Sequence, residues 1–124
     1  MSTDRELLEL AAKAAGIEGA YFESDNPIHT GIYQARGEYY WNPLISDSEA
    51  LRLAVKLGLQ IRQYPIFDTP RFAAYVCEKR WSSDAERDVG EDSIEHYNGD
   101  PYAATRRAIV RAAAAIGAAL GEQR

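Results

Sequence analysis

Four groups of side chains in this chain have the types and spacing to do chemistry. Tyr39-Tyr40-Trp41-Asn42-Pro43 sets aromatic faces beside a fixed amide, just ahead of a helix start. Stacking rings, an amide and an anion-attracting helix N-terminus would make Tyr40, Trp41 and Asn42 a ligand wall. The alternative is core aromatics followed by a turn. Arg106, Arg107 and Arg111 form the second group, and the last two are one helical turn apart on a shared face. Guanidinium groups meet carboxylate or phosphate in a planar, bidentate way, so these read as an anion fork or as an ion-paired helix face. Glu78-Lys79-Arg80-Trp81 puts basic groups beside an indole that either stacks on a base or partner side chain, or packs under the following loop. That loop carries Asp84, Glu86, Asp88, Glu91, Asp92 and Glu95. It is either a solvated excursion or a negative surface for a basic partner.

Reaction chemistry has little support. The patterns GxGxxG, HExxH, GxSxG and CxxC do not occur, nor does a P-loop. His29 and His96 lie far apart in sequence. His96 with Asp92 and Glu95 is one conceivable metal set, but such spacing is common by chance, and no metal or cofactor is expected. The carboxylates from Asp84 to Glu95 have no apolar surroundings in the sequence to raise one pKa. No nucleophile stands beside a base. The expectation is a protein that binds rather than catalyses.

The 124 residues carry 19 acidic against 14 basic groups, a net charge of −5. That length fits one domain, residues 1–124, with a mobile acidic loop at about 82–99. A whole-molecule basic field is missing, so direct nucleic-acid binding is not expected. The single cysteine, Cys77, lies in an apolar run and suits a reducing compartment as a small buried hydrophobe. Met1–Glu6 lacks the basic and apolar regions of a signal peptide, and no apolar run nears the ~20 residues of a membrane span. A cytoplasmic protein without membrane contact is predicted.

Three helices and several strands must position these groups. Thr3-x-x-Glu6 and Ser46-x-x-Glu49 are capping boxes, each followed by an apolar stripe and a closing glycine, Gly16 or Gly58. The stripes are Leu7, Leu10, Ala11 and Ala14, then Ala50, Leu53, Ala54 and Leu57. Glu49, Arg52 and Lys56 make the wet face of the second helix. Ala20–Glu23 reads as a short strand, Ser24-Asp25-Asn26-Pro27 as a turn. Ile32–Ala35 and Glu38–Trp41 read as two strands around Arg36-Gly37, or as one bent strand. Gln60–Tyr64 alternates as a strand, and Phe72–Cys77, apolar on both faces, belongs at a sheet centre. The last helix runs from an Asp100 N-cap and Pro101 to about Leu120, burying Ile109, Val110, Ala113, Ile116 and Leu120. Gly117 reads as a weak spot in it, costing about 1 kcal/mol of propensity against alanine. The fold class is α+β: a small antiparallel sheet of three to four strands flanked by three helices. The alanine-rich last helix also offers a face for a symmetric partner, so a homo-oligomer is possible.

The order of four segments resembles a known group. These are Glu6-Leu7-Leu8-Glu9-Leu10-Ala11-Ala12-Lys13-Ala14-Ala15-Gly16, then Trp41-Asn42-Pro43-Leu44, then Asp47 to Val55, and last Asp100-Pro101 with Arg106 to Ala113. Together they are similar to small proteins of proteobacterial phages and prophages, of the NinX and phage "ABA sandwich" types. The resemblance covers most of the chain outside Gly58–Gly99. It implies helix–sheet–helix layers and a phage accessory role, and it supplies no catalytic residues. The resulting expectation is a host-interaction or counter-defence protein acting on a host protein complex. The alternative is a binder of a small nucleotide-like signal.

Overall fold

The computed structural model describes residues 3–65, 72–78, 95–96 and 100–122. Helix α1 (Asp4–Ala15) starts where its sequence signal places it. Thr3 Oγ1 accepts the Glu6 N–H at 3.2 Å, and Asp4 and Glu6 put negative charge on the helix's positive end. Gly16 closes it at φ 71°, a left-handed conformation that glycine reaches without a Cβ clash. Helix α2 (Asp47–Leu57) follows the same plan, with Gly58 at φ 66° and Ser46 Oγ accepting the Glu49 N–H at 3.3 Å. The second half of its expected capping box goes elsewhere. Ser46 N–H already donates to the Asn42 carbonyl, and the Glu49 carboxylate turns instead to the Asn42 N–H at 2.6 Å.

Strands β1 (Tyr21–Phe22), β2 (Gly31–Gln34) and β3 (Tyr39–Trp41) form one antiparallel sheet in that order. Strands β4 (Leu59–Pro65), β5 (Phe72–Glu78) and β6 (Glu95–His96) form a second. The protein is α+β with three helices among the described residues, and its strands divide between two three-stranded sheets. Asn42-Pro43 causes the division, because the chain there turns into α2 and only re-enters a strand at Leu59. The segment Phe72–Cys77 holds the central position expected of it, between β4 and β6. Ala35–Glu38 makes a four-residue connection between β2 and β3, longer than the Arg36-Gly37 turn expected. Of the acidic loop expected over Ser82–Gly99, residues 95–96 are strand, pairing Glu95 with Ala74 and His96 with Ala73. The remainder, with Trp81, Asp84, Asp88 and Asp92, lies outside the described residues.

Helix α3 (Pro101–Glu122) begins at Asp100, whose Oδ1 accepts the N–H groups of Tyr102 and Ala103 at 3.0 and 3.1 Å. It lies along α1 and also touches α2 and β5. Its buried residues are Ala104, Ala108, Ile109, Val110, Ala112, Ala113 and Ala114, a broader set than the stripe read from sequence. Leu120, expected inside, is 44 % exposed. Most of the small residues that suggested a symmetric helix pair are thus covered within the chain itself. Gly117 is no weak spot: a Cβ there would collide with the Leu10 backbone carbonyl, so its missing side chain lets α3 approach α1. On α1 the buried residues are Leu7, Leu8, Ala11, Ala12 and Ala15, a stripe rotated toward Leu8 from the one expected. With Ile32, Trp41, Ala50, Leu53 and Ala54 they make one continuous core.

Candidate functional site

Register decides where the aromatic residues of the first sheet point. Tyr21 pairs with Ile32 and Ile32 with Trp41, a row buried against the helices. One residue along each strand, the side chains face the other way. Tyr33 pairs with Tyr40, their rings 5.2 Å apart. Phe22 meets both edge-on, at 6.1 and 6.5 Å, and His29 stands 5.7 Å from Tyr40. T-shaped and tilted contacts at these distances are the favoured aromatic geometries. Phe22 is nevertheless 52 % exposed and the neighbouring Ile28 67 % exposed. The outer face of this sheet is a cluster of packed rings open to solvent.

The turn beside this cluster is well held. Asn26 Oδ1 accepts the Ile28 N–H at 3.1 Å, closing a single 3-10 turn over Pro27–His29. Thr30 Oγ1 accepts the Ser24 N–H and donates to the Ser24 carbonyl, both at 3.1 Å. The polar cluster Ser24–Pro27 is the turn its sequence predicts, and it fixes Ile28 and His29 beside the rings. A cleft of about 440 Å³ opens next to it, lined among others by Asp4, Glu23, Asp25, Pro27 and Asn42. Tyr21 donates its phenol O–H to Glu23 at 3.1 Å, and burial, followed by that bond, pushes the Tyr21 phenol above its ordinary pKa. Between Ile17 and Ser46 the carboxylates are Glu18, Glu23, Asp25 and Glu38, against Arg36 alone. The cleft is lined by Tyr21 and Leu8 and by none of the four rings, and of its carboxylates Asp4 is paired with Arg107 and Glu23 accepts from Tyr21.

The ligand wall expected of Tyr40, Trp41 and Asn42 is taken apart by the strand's alternation. Tyr40 belongs to the outer ring cluster. Trp41 points the opposite way into a groove against α2. Asn42 is 5 % exposed and its amide is committed: Nδ2 donates to the Thr30 carbonyl at 3.0 Å and Oδ1 accepts the Leu44 N–H at 3.1 Å. It is a hub that joins the end of β3 to the start of α2.

The arginines of α3 are likewise divided. Arg106 donates from Nε to the Leu44 carbonyl at 2.8 Å and from a terminal nitrogen to Asp47, the first residue of α2, at 2.6 Å. Arg107 pairs with Asp4, the first residue of α1, at 2.9 Å. Neighbours in sequence thus fasten the starts of two different helices. Arg107 and Arg111 have further contacts within the chain. Glu95 is placed in β6 by its backbone pairing. Sequence reasoning missed Phe22, Ile28, His29 and Tyr33 as surface groups. The signal available was period-two alternation through Tyr39–Trp41, which separates Tyr40 from Trp41.

Among the described residues, no three histidine, cysteine, aspartate or glutamate side chains are grouped to hold a metal ion. Among the same residues, no helix is long and apolar enough to cross a membrane. No family model matches the chain, and comparison with curated proteins and with solved structures finds no match.

Proposed function

We propose that this chain is a phage or prophage accessory protein that binds a basic surface of a host protein complex in the host cytoplasm, without catalysis. The observation that carries the reading is the exposed ring cluster of Phe22, Tyr33, Tyr40 and His29 on the outer face of the sheet, with Glu23 following Phe22 in the chain. Rigid aromatic anchors in a polar rim are typical of binding hot spots, where arginine is enriched as well. A partner's arginine or lysine gains here from the ring faces. The net charge of −5 steers such a partner at long range. The sequence resemblance to phage proteins supports the biological setting.

The test uses a short arginine- and lysine-rich peptide titrated by calorimetry. Binding is expected to weaken as salt rises, and Phe22→Ala is expected to weaken it about tenfold, the effect of one hot-spot side chain. Undiminished binding by Phe22→Ala would remove the sheet face from the reading. Loss of binding only on neutralising Asp84, Asp88, Asp92 and Glu95 together would move the contact to the acidic segment.

A further inference from the structure

The groove on the opposite side of β3 has a different chemistry from the acidic cleft. It holds about 480 Å³ and is walled by Ala15, Ile17, Tyr39, Trp41 and Leu53, with Ser48, Glu49, Arg52 and Lys56 along its α2 side. Cavities of this volume, mostly apolar with a few placed polar groups, suit a small organic ligand. Tyr39 and Trp41 are two residues apart on one strand, so both project to this side, and Tyr39 remains 45 % exposed. Trp41 is buried in the core and gives the wall a fixed base, while Tyr39 supplies an accessible ring.

Charge along α2 gives the groove a direction. Arg52 and Lys56 are one turn apart on the same face and both exposed, and Arg52 is also close enough to Glu49 to favour its carboxylate form. Such a pair is a competent receiver for a phosphate. Glu49 lies at the other end, about 10 Å from Lys56 along the helix axis at 1.5 Å per residue. One of its oxygens accepts the Asn42 N–H, and the half-buried carboxyl lines the groove. An anion is repelled from that end and drawn to the other, while a group bearing N–H donors is favoured beside Glu49.

We propose that this groove binds a mononucleotide, its base against Tyr39 and Trp41 with the N–H edge toward Glu49, and its phosphate on Arg52 and Lys56. The site shares no wall with the ring cluster of Phe22, Tyr33 and Tyr40, so ligand and partner can be bound independently.

Thermal-shift and calorimetric titrations of the full chain with GMP, guanosine and inorganic phosphate test this. GMP is expected to raise the melting temperature with concentration and to bind more tightly than guanosine or phosphate alone. The double variant Arg52→Gln/Lys56→Gln, changed only at exposed positions, is expected to weaken GMP at least about tenfold while leaving guanosine unchanged, since two charge-assisted contacts are lost. Tyr39→Phe should keep binding and Tyr39→Ala should lose it. The absence of any GMP-dependent shift overturns the proposal. So does GMP binding that the double variant leaves intact, or inorganic phosphate binding as tightly as GMP.

Discussion

At the scale of single residues, Asn42 and Glu49 hold more of the structure than their types suggest. Asn42→Ala removes the partners of the Thr30 carbonyl and the Leu44 N–H, both close to the core. Orphaned groups of that kind cost 1–3 kcal/mol each, so a loss of about 2–4 kcal/mol is expected, read from the denaturant midpoint. Glu49 has its carboxyl pKa raised above the usual value, chiefly by burial, against the smaller opposing effects of the Asn42 N–H and of Arg52. The folded protein therefore holds this proton more tightly than the unfolded chain does. The resulting stabilisation is full below the ordinary carboxylate value and disappears as pH rises through the raised one. Glu49→Gln keeps an acceptor for Asn42 and cannot titrate. The stability of the natural protein relative to this variant is expected to fall with rising pH across that window and to be level on either side. Parallel pH profiles of urea denaturation would show it, and a constant difference would reject it.

At the scale of elements, α3 meets α1 at a point where only glycine fits. Gly117→Ala brings the Ala side chain against the Leu10 carbonyl. Helix propensity alone predicts a gain of about 1 kcal/mol, whereas overpacking of a close contact predicts a loss of about 1–3 kcal/mol, and we expect the loss. A melting temperature above that of the natural protein would show that the helices slide apart cheaply. The two readings differ because the first uses local information and the second a contact between residues about a hundred positions apart. The same division explains what the sequence discloses. Thr3, Ser46 and Asp100 announce helix starts because a cap is satisfied within three residues. Gly16 and Gly58 announce helix ends for the same reason. The assignment of β1–β3 and β4–β6 to separate sheets is not written locally, since antiparallel pairing depends on where the chain returns. Nor was the arginine set legible as a pair of helix fasteners: Arg106 and Arg107 find Asp47 and Asp4 only once three helices have met. The direction of Tyr40 away from Trp41 was legible in principle, by strand alternation, once Glu38–Trp41 had been read as a strand.

At the scale of the whole molecule, two surfaces of opposite preference lie on the two sides of one small sheet. The outer one is open and aromatic, the inner one is cationic along α2. Phe22→Ala gives up two edge-on ring contacts on a half-exposed side chain, and is expected to cost about 1–2 kcal/mol of stability while reducing the affinity for a basic peptide, as circular dichroism melts and calorimetry would show together. A large stability loss would mean that the rings serve the fold instead. The core itself joins α1 to α3 across most of the chain, with Gly117 lodged against Leu10. On a ribosome adding roughly 5–20 residues per second, α1 emerges about 5–20 s before α3 exists to cover it. For that interval Leu7, Leu8 and Ala11 have no native surface from α3 to rest on, and apolar surface left open in this way is prone to aggregation until α3 is made.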